Sequence, residues 1–185
     1  MAAGLKRRGI LALLCAVLMS ACATAPAHDV AAVAEPDYAR VFLVRHAEKE
    51  TGSDPALTAD GAVRAKALAA RLAGEGVTEI WSTRTNRTEQ TAAPLAAELG
   101  LAVQTYDAST LPAFASWLQA SPGVKLVVGH SNTTDALAAL LGADPGPAIE
   151  EATEFDRLYV IELGASGATA SRIERYGAPS VKVAE

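Results

Sequence analysis

Basic and imidazole side chains follow three apolar segments of this 185-residue sequence. Arg45 and His46 come directly after "VFLV", Arg87 ends the segment "STRTNR", and His130 follows "VKLVVG". The chain has only three histidines, and two of them occupy these positions. A guanidinium fork suits phosphate oxygens, and an unprotonated imidazole can accept a proton or attack phosphorus. Together these residues predict a pocket for a tetrahedral dianion.

Apolar β-rich segments alternate with longer helical patterns, which indicates how these residues are positioned. Strands are predicted at 40–44, 78–82, 101–106, 124–129 and 157–163. Continuous apolar runs favour strands that are covered on both faces. We therefore expect a three-layer α/β/α sandwich with a central, mostly parallel sheet, in which ligands bind beyond the carboxyl ends of the strands.

Four helices are predicted between or after these strands. Thr58 is expected to cap the first, and Asn86 is expected to cap the second. Pro94 lies inside the second pattern and predicts a kink or a restart. The third helix is expected over about 110–120, and the fourth over 132–141 before a glycine.

Three blocks of the sequence resemble the signature of the histidine phosphatase superfamily, also called the phosphoglycerate mutase-like family. They are "RHAEK", "STRTNRTEQTA" and "VVGHSNT", and the similarity extends over about 40–176. The resemblance implies a phosphatase that hydrolyses phosphomonoesters or phosphohistidine through a covalent phosphohistidine on His46. It also implies that Arg45, Arg87 and His130 bind the phosphate, with His130 counted among the catalytic residues.

The family also uses a carboxyl group as the general acid, and its location varies between branches. Histidine acid phosphatases carry an aspartate directly after the second histidine, whereas this chain has Ser131 there. Asp107 in "TYDAST" is our first choice for the acid, and Glu48 is the second. The alternative interpretation of Asp107 is a solvated turn residue or a helix cap.

Metal, cofactor and nucleic-acid chemistry are not expected. The sequence contains no HExxH motif, and two arginines near the histidines would repel a cation. We therefore predict a metal-independent phosphoric monoester hydrolase without a cofactor. The formal net charge of −5 is also unsuited to nucleic-acid binding through a general electrostatic surface.

The N-terminal segment has the layout of an export signal. Three basic residues precede an apolar run that is too short to span a membrane, and small residues then lead into Cys22. The ending "LMSAC" resembles the lipobox of bacterial lipoproteins, which implies lipidation of Cys22. Because the first 21 residues contain three basic and no acidic side chains, their removal would change the net charge from −5 to −8.

These features predict four parts of the chain: a signal peptide (1–21), a lipidated cysteine with a flexible tether (22–37), a histidine phosphatase domain (38–177) and a C-terminal tail (178–185). We expect a lipid anchor in the bacterial outer membrane, facing the periplasm. The alternative is ordinary cleavage after "APA", which would release a soluble periplasmic protein.

Two other functions remain open. A phosphoglycerate mutase-type phosphotransferase would need a lid and extra basic residues, and the segment after Asp107 has no Lys or Arg before Pro122. A non-catalytic lipoprotein could use the same pocket to bind a phosphorylated or anionic partner. The expected partner of an enzyme is a phosphorylated small molecule or a phosphoprotein.

Overall fold

The computed structural model describes Met1, residues 39–164 and residues 169–180. Apart from Met1, the predicted signal peptide, Cys22 and the whole tether (22–37) lie outside the described residues. The strands are β1 (Ala39–Arg45), β2 (Glu79–Ser82), β3 (Val103–Thr105), β4 (Gly123–Gly129), β5 (Arg157–Leu163) and β6 (Thr169–Arg175). The helices are α1 (Ala59–Leu72), α2 (Asn86–Leu99), α3 (Leu111–Ala120) and α4 (Ser131–Leu140), with a short 3-10 helix at Ala108–Thr110 before α3.

The six strands form one sheet in the order β3-β2-β4-β1-β5-β6. Strands β3, β2, β4 and β1 are parallel to one another, whereas β5 pairs antiparallel with both β1 and β6. The expected mostly parallel sheet is confirmed. Strand β6 was not predicted, because "TASRIER" at the sheet edge has no apolar run.

Helices cover both faces of the sheet, as the continuous apolar run in β1 predicted. Val41 and Leu43 pack on the face that also holds Phe114 of α3 and Leu137 of α4. Phe42 and Val44, which alternate with them, pack in the second core, which also holds Leu68, Leu72, Leu95 and Ala96 from α1 and α2. The chain therefore has the predicted three-layer α/β/α architecture.

The helix starts agree only partly with the sequence pattern. The Thr58 hydroxyl accepts a hydrogen bond from the Gly61 N–H at 3.0 Å and caps α1 as expected. The predicted cap of α2 by Asn86 is wrong, because Asn86 is already helical and its N–H donates to the Asp54 carboxylate at 3.0 Å. Helix α2 also continues through Pro94 without a restart.

The chain after β6 remains attached to the domain. The Arg64 guanidinium donates to the Ala178 carbonyl at 2.8 Å, and the Ser180 hydroxyl donates to the Asp156 carboxylate at 2.7 Å. Residues 178–180, which the sequence analysis assigned to the tail, are thus held by the domain. Within the described ranges, no helix combines the length and the apolar character needed to cross a bilayer.

Candidate active site

The register between β1 and β4 brings the two histidines together. Arg45 pairs with Gly129, and the His46 N–H donates to the Gly129 carbonyl at 2.9 Å. The rings of His46 and His130 consequently lie with their centroids 5.6 Å apart, edge to face. A Cβ atom at Gly129 would lie 2.8 Å from the Tyr106 hydroxyl, so this close approach requires glycine.

His46 is held in one orientation by its own backbone neighbour. Its Nδ1 lies 2.8 Å from the Ala47 carbonyl oxygen, which is an acceptor, so Nδ1 carries the proton. Nε2 makes no hydrogen bond to a described residue and has its lone pair free. Burial, together with the charges of Arg45 and Arg87, lowers the pKa of His46 to about 3. The ring is therefore neutral at physiological pH, as a nucleophile must be.

A chain of hydrogen bonds also determines the tautomer of His130. The Arg87 guanidinium, which has only donors, lies 3.3 Å from Nδ1, so that nitrogen is the acceptor. Nε2–H then donates to the Thr83 hydroxyl at 2.9 Å, and Thr83 donates to Thr88 at 3.0 Å. Burial and the nearby arginines lower the pKa of His130 to about 4.

Arg87 is the second residue of α2, where the helix dipole also favours an anion. Its Nη1 lies 3.6 Å from the Asp54 carboxylate, which also accepts the Asn86 N–H. The buried Nε of Arg87 has no partner among the described residues. The guanidinium thus borders the two histidines and still has donor capacity.

Arg45 differs from the prediction in what its side chain binds. Nη1 donates to the carbonyls of Glu150 (3.2 Å) and Glu154 (3.0 Å), and Nη2 donates to the carbonyl of Glu151 (2.6 Å). The guanidinium also stacks 4.1 Å from the Phe155 ring centre. The residue is 2 % exposed, and its buried Nε has no partner among the described residues. Arg45 therefore supplies charge to the site while its terminal nitrogens hold the Glu150–Glu154 turn.

The two predicted acids have other contacts. The Asp107 carboxylate accepts the N–H of Ser109 at 2.8 Å and its hydroxyl at 2.7 Å, which caps the short 3-10 helix. These bonds lower the pKa of Asp107 and favour the ionised form. Both carboxylate oxygens of Glu48 accept from Arg64 at 2.7–3.0 Å. Asp107 thus has the capping position of our alternative interpretation, and its role as an acid stays a prediction.

An open cavity of about 350 Å³ lies at this edge of the sheet. It is lined by His46, Lys49, Arg87, His130, Ser131, Asn132 and Glu151. Glu151 was not predicted as a site residue, because its only signal in the sequence is a pair of glutamates ahead of β5. Within the described ranges, no group of three or more His, Cys, Asp or Glu residues is arranged to hold a metal ion. The cavity suits a small anion bound between Arg87 and the histidines.

Comparison with protein families agrees with this geometry. Residues 41–109 match the model of the histidine phosphatase superfamily (branch 1). The matched segment contains Arg45, His46 and Arg87, and it ends before His130. This segment of the chain is therefore similar to the histidine phosphatase superfamily. A sequence search of curated proteins found no match.

Solved structures of similar fold extend the likeness beyond the matched segment. The protein histidine phosphatase SixA, solved with tungstate, is 21 % identical with a TM-score of 0.62, covering 74 % of this chain and 96 % of SixA. A mycobacterial glucosyl-3-phosphoglycerate phosphatase is 16 % identical with a TM-score of 0.59, covering 77 % and 100 %. Phosphoglycerate mutase from Plasmodium falciparum is 15 % identical with a TM-score of 0.54, covering 80 % and 98 %. These likenesses show a phosphoglycerate mutase-like fold.

Proposed function

We propose that this protein is a phosphatase that hydrolyses phosphomonoesters or phosphohistidine through a covalent phosphohistidine on His46. The observation that carries the proposal is the state of the His46 ring. Nδ1–H is bound to the Ala47 carbonyl, while Nε2 has no hydrogen-bond partner among the described residues. His46 also lines a cavity together with Arg87 and His130.

The reaction follows from these groups in two steps. The Nε2 lone pair of His46 attacks phosphorus, and the bond from phosphorus to the leaving oxygen or nitrogen breaks. Water then attacks the phosphohistidine and releases inorganic phosphate and the neutral imidazole. The Arg87 guanidinium stabilises charge on the phosphoryl oxygens, and the buried charge of Arg45 adds to the same field.

His130 has a second role in this scheme. Its Nδ1 accepts a hydrogen bond from Arg87, and its Nε2–H donates to Thr83. A phosphate dianion next to the ring would favour protonation and turn Nδ1 into a donor to the phosphoryl group. His130 is therefore proposed to bind phosphate in the imidazolium form.

The test is phosphoenzyme formation by the purified full-length protein. Wild type incubated with radiolabelled phosphohistidine peptide or with p-nitrophenyl phosphate should release phosphate and carry an acid-labile label. His46→Ala should lose both activities by about 10³-fold or more, because the nucleophile is absent. A wild-type protein that releases no phosphate from either compound and binds no label would contradict the proposal.

Phosphohistidine is the substrate class with the most direct support. SixA, which shares the fold, is described as a protein histidine phosphatase. The cavity of this chain is open, so a side chain presented by another protein can reach His46. The glucosyl-3-phosphoglycerate phosphatase of the same fold supports small phosphate esters as the second class. Comparing kcat/KM for a phosphohistidine peptide and a small ester decides between them.

We also propose that the reaction needs no metal ion. Arg87, and Arg45 behind His46, supply the positive charge that a metal would otherwise provide next to the phosphate. The expected result is full activity in EDTA and no increase with added Mg²⁺ or Zn²⁺. Loss of activity in EDTA that is restored by one of these ions would contradict this part of the proposal.

The location is proposed from the sequence alone. The apolar run followed by "LMSAC" supports lipidation of Cys22 and an anchor in the outer membrane, facing the periplasm. Radiolabelled palmitate should be incorporated into the wild type but not into Cys22→Ala. A wild-type protein that is cleaved, unlabelled and released with the periplasmic fraction would support soluble export instead.

A further inference from the structure

The reaction proposed above requires a proton for the leaving group. Few of the residues that line the cavity can supply that proton. His46 donates its only ring proton to Ala47. In the proposed imidazolium form of His130, Nε2–H binds Thr83 and Nδ1–H is donated to the phosphoryl group, so neither proton is available to the leaving group. Arg87 is permanently charged and is a poor acid. Of the seven lining residues, Glu151 is the only one with a carboxyl group.

Other carboxylates near the site are already bound. Glu48 pairs with Arg64, Asp54 caps α2 beside Arg87, and Asp107 caps the 3-10 helix. In the turn itself, the Glu150 carboxylate accepts the Ala152 N–H, and the Glu154 carboxylate pairs with Arg157 and Arg175. The Glu151 carboxylate has no hydrogen bond or ion pair with any described residue. It is therefore the one acidic group at the cavity that is free to contact a substrate.

The backbone of Glu151 is held in place although its side chain is exposed. Its carbonyl accepts from the buried Arg45 at 2.6 Å, next to the carbonyls of Glu150 and Glu154. Burial lowers the pKa of Arg45, and the charge of Glu151 counteracts this shift more than the charge of any other carboxylate. Arg45 thereby connects the position of Glu151 to the neighbouring His46.

We propose that Glu151 is the general acid of this phosphatase, a role that rests on the function proposed above. As the His46 Nε2 lone pair forms the bond to phosphorus, the bond to the leaving oxygen breaks and its electron pair stays on that oxygen. The Glu151 carboxyl group transfers its proton to the oxygen and becomes a carboxylate. In the second step the carboxylate accepts a proton from the attacking water, which returns Glu151 and His46 to their starting forms.

The test compares two phosphate esters that differ in their need for an acid. Dinitrophenolate leaves without protonation, whereas phenolate from phenyl phosphate benefits from a proton. Glu151→Gln should lower kcat/KM for phenyl phosphate by about 10²-fold or more and change that for 2,4-dinitrophenyl phosphate by less than about threefold. A residue with a merely structural role would affect both esters equally.

Matched variants distinguish Glu151 from the other candidates. Glu150→Gln changes the neighbouring glutamate of the same turn, and we expect both esters to keep their rates within about threefold. Lys49 also lines the cavity and carries a positive charge. Lys49→Met should lower the rates for both esters equally, because Lys49 supplies charge rather than a proton. Equal losses for both esters in Glu151→Gln would overturn the proposal. So would a leaving-group-dependent loss in Asp107→Asn or in Lys49→Met.

The same experiment separates this assignment from the proposed function. Wild type treated with 2,4-dinitrophenyl phosphate should form the acid-labile phosphoenzyme, and Glu151→Gln should form it at a similar rate. If wild type forms no phosphoenzyme, the function itself is contradicted. If both form it and the phenyl phosphate rate is unchanged in Glu151→Gln, only the assignment of the acid is overturned.

Discussion

Two segments border the cavity, and they are anchored in opposite ways. In the β1–α1 loop, residues 46–58, acidic side chains make the anchors: Glu48 binds Arg64, and Asp54 binds the start of α2. In the Glu150–Glu154 turn, Glu154 also forms ion pairs with Arg157 and Arg175, but the contact to the site is made by Arg45, which binds three backbone carbonyls. A loop that is anchored through its carboxylates cannot offer those carboxylates to a substrate. Backbone anchors fix the turn and leave the Glu151 carboxylate available to a substrate.

Breaking the backbone anchor should have the largest effect. Arg45→Met removes a buried charge beside His46 and frees the Glu150–Glu154 turn, so we expect kcat/KM to fall by about 10²- to 10³-fold. Arg45→Lys keeps the charge, but an ammonium group lacks the planar guanidinium that binds the three carbonyls. This variant should therefore recover only part of the lost kcat/KM. Steady-state kinetics with p-nitrophenyl phosphate measures both. Full activity in Arg45→Lys would show that the turn needs no such anchor.

Breaking the side-chain anchor should affect stability more than catalysis. Arg64 is 5 % exposed and binds Glu48 and the carbonyls of Tyr176 and Ala178. Arg64→Met should lower the free energy of unfolding by about 3 kcal/mol, because it leaves these acceptors unpaired. Urea denaturation measures the loss. Glu48→Gln keeps the carbonyl contacts of Arg64 and is the milder control. If Arg64→Met were as inactive as Arg45→Met, the comparison between the two anchors would be contradicted.

Acidification should act on the two histidines that these segments enclose. Their pKa values, about 3 for His46 and about 4 for His130, lie below the ordinary 6.5, so the unfolded chain binds protons that the folded protein does not. Their contribution to stability is complete above pH 6.5 and decreases as the pH falls toward the folded values. Between pH 7 and 5.5 the free energy of unfolding should drop by about 2 kcal/mol. A variant with both histidines replaced by asparagine should lose much of this slope, and equal slopes would contradict the assignment.

The smallest effect is expected at Asp54, where the β1–α1 loop meets Arg87. Asp54→Asn keeps an oxygen that can cap α2 but removes the charge 3.6 Å from Arg87. Because the side chain is half exposed, the pair contributes little to stability, and inorganic phosphate should inhibit about twofold to threefold more strongly. Asp54→Ala also loses the cap and should unfold about 1 kcal/mol more easily. Weaker phosphate inhibition in Asp54→Asn would show that Asp54 does not compete for Arg87.

Much of the fold was predictable because its signals are local. The continuous apolar run before Arg45 indicated a strand covered on both faces, and Thr58 carried the local pattern of a helix cap. Asn86 was misassigned as a cap because the real partner, Asp54, is 32 residues away in the chain. Strand β6 was missed because an edge strand that pairs only with β5 needs no apolar run.

The sequence by itself determined which chemical groups meet at the sheet edge. Arg45, His46, Arg87 and His130 follow strand ends or begin a helix, and parallel strands place such positions side by side. Only the tertiary structure decided what each group binds. The carbonyls that hold Arg45 lie 105–109 residues away, and Glu151, the one carboxylate residue that lines the cavity, belongs to the same distant turn. Local periodicity contains no information about hydrogen bonds between segments so far apart, so these contacts emerge only when the chain is folded.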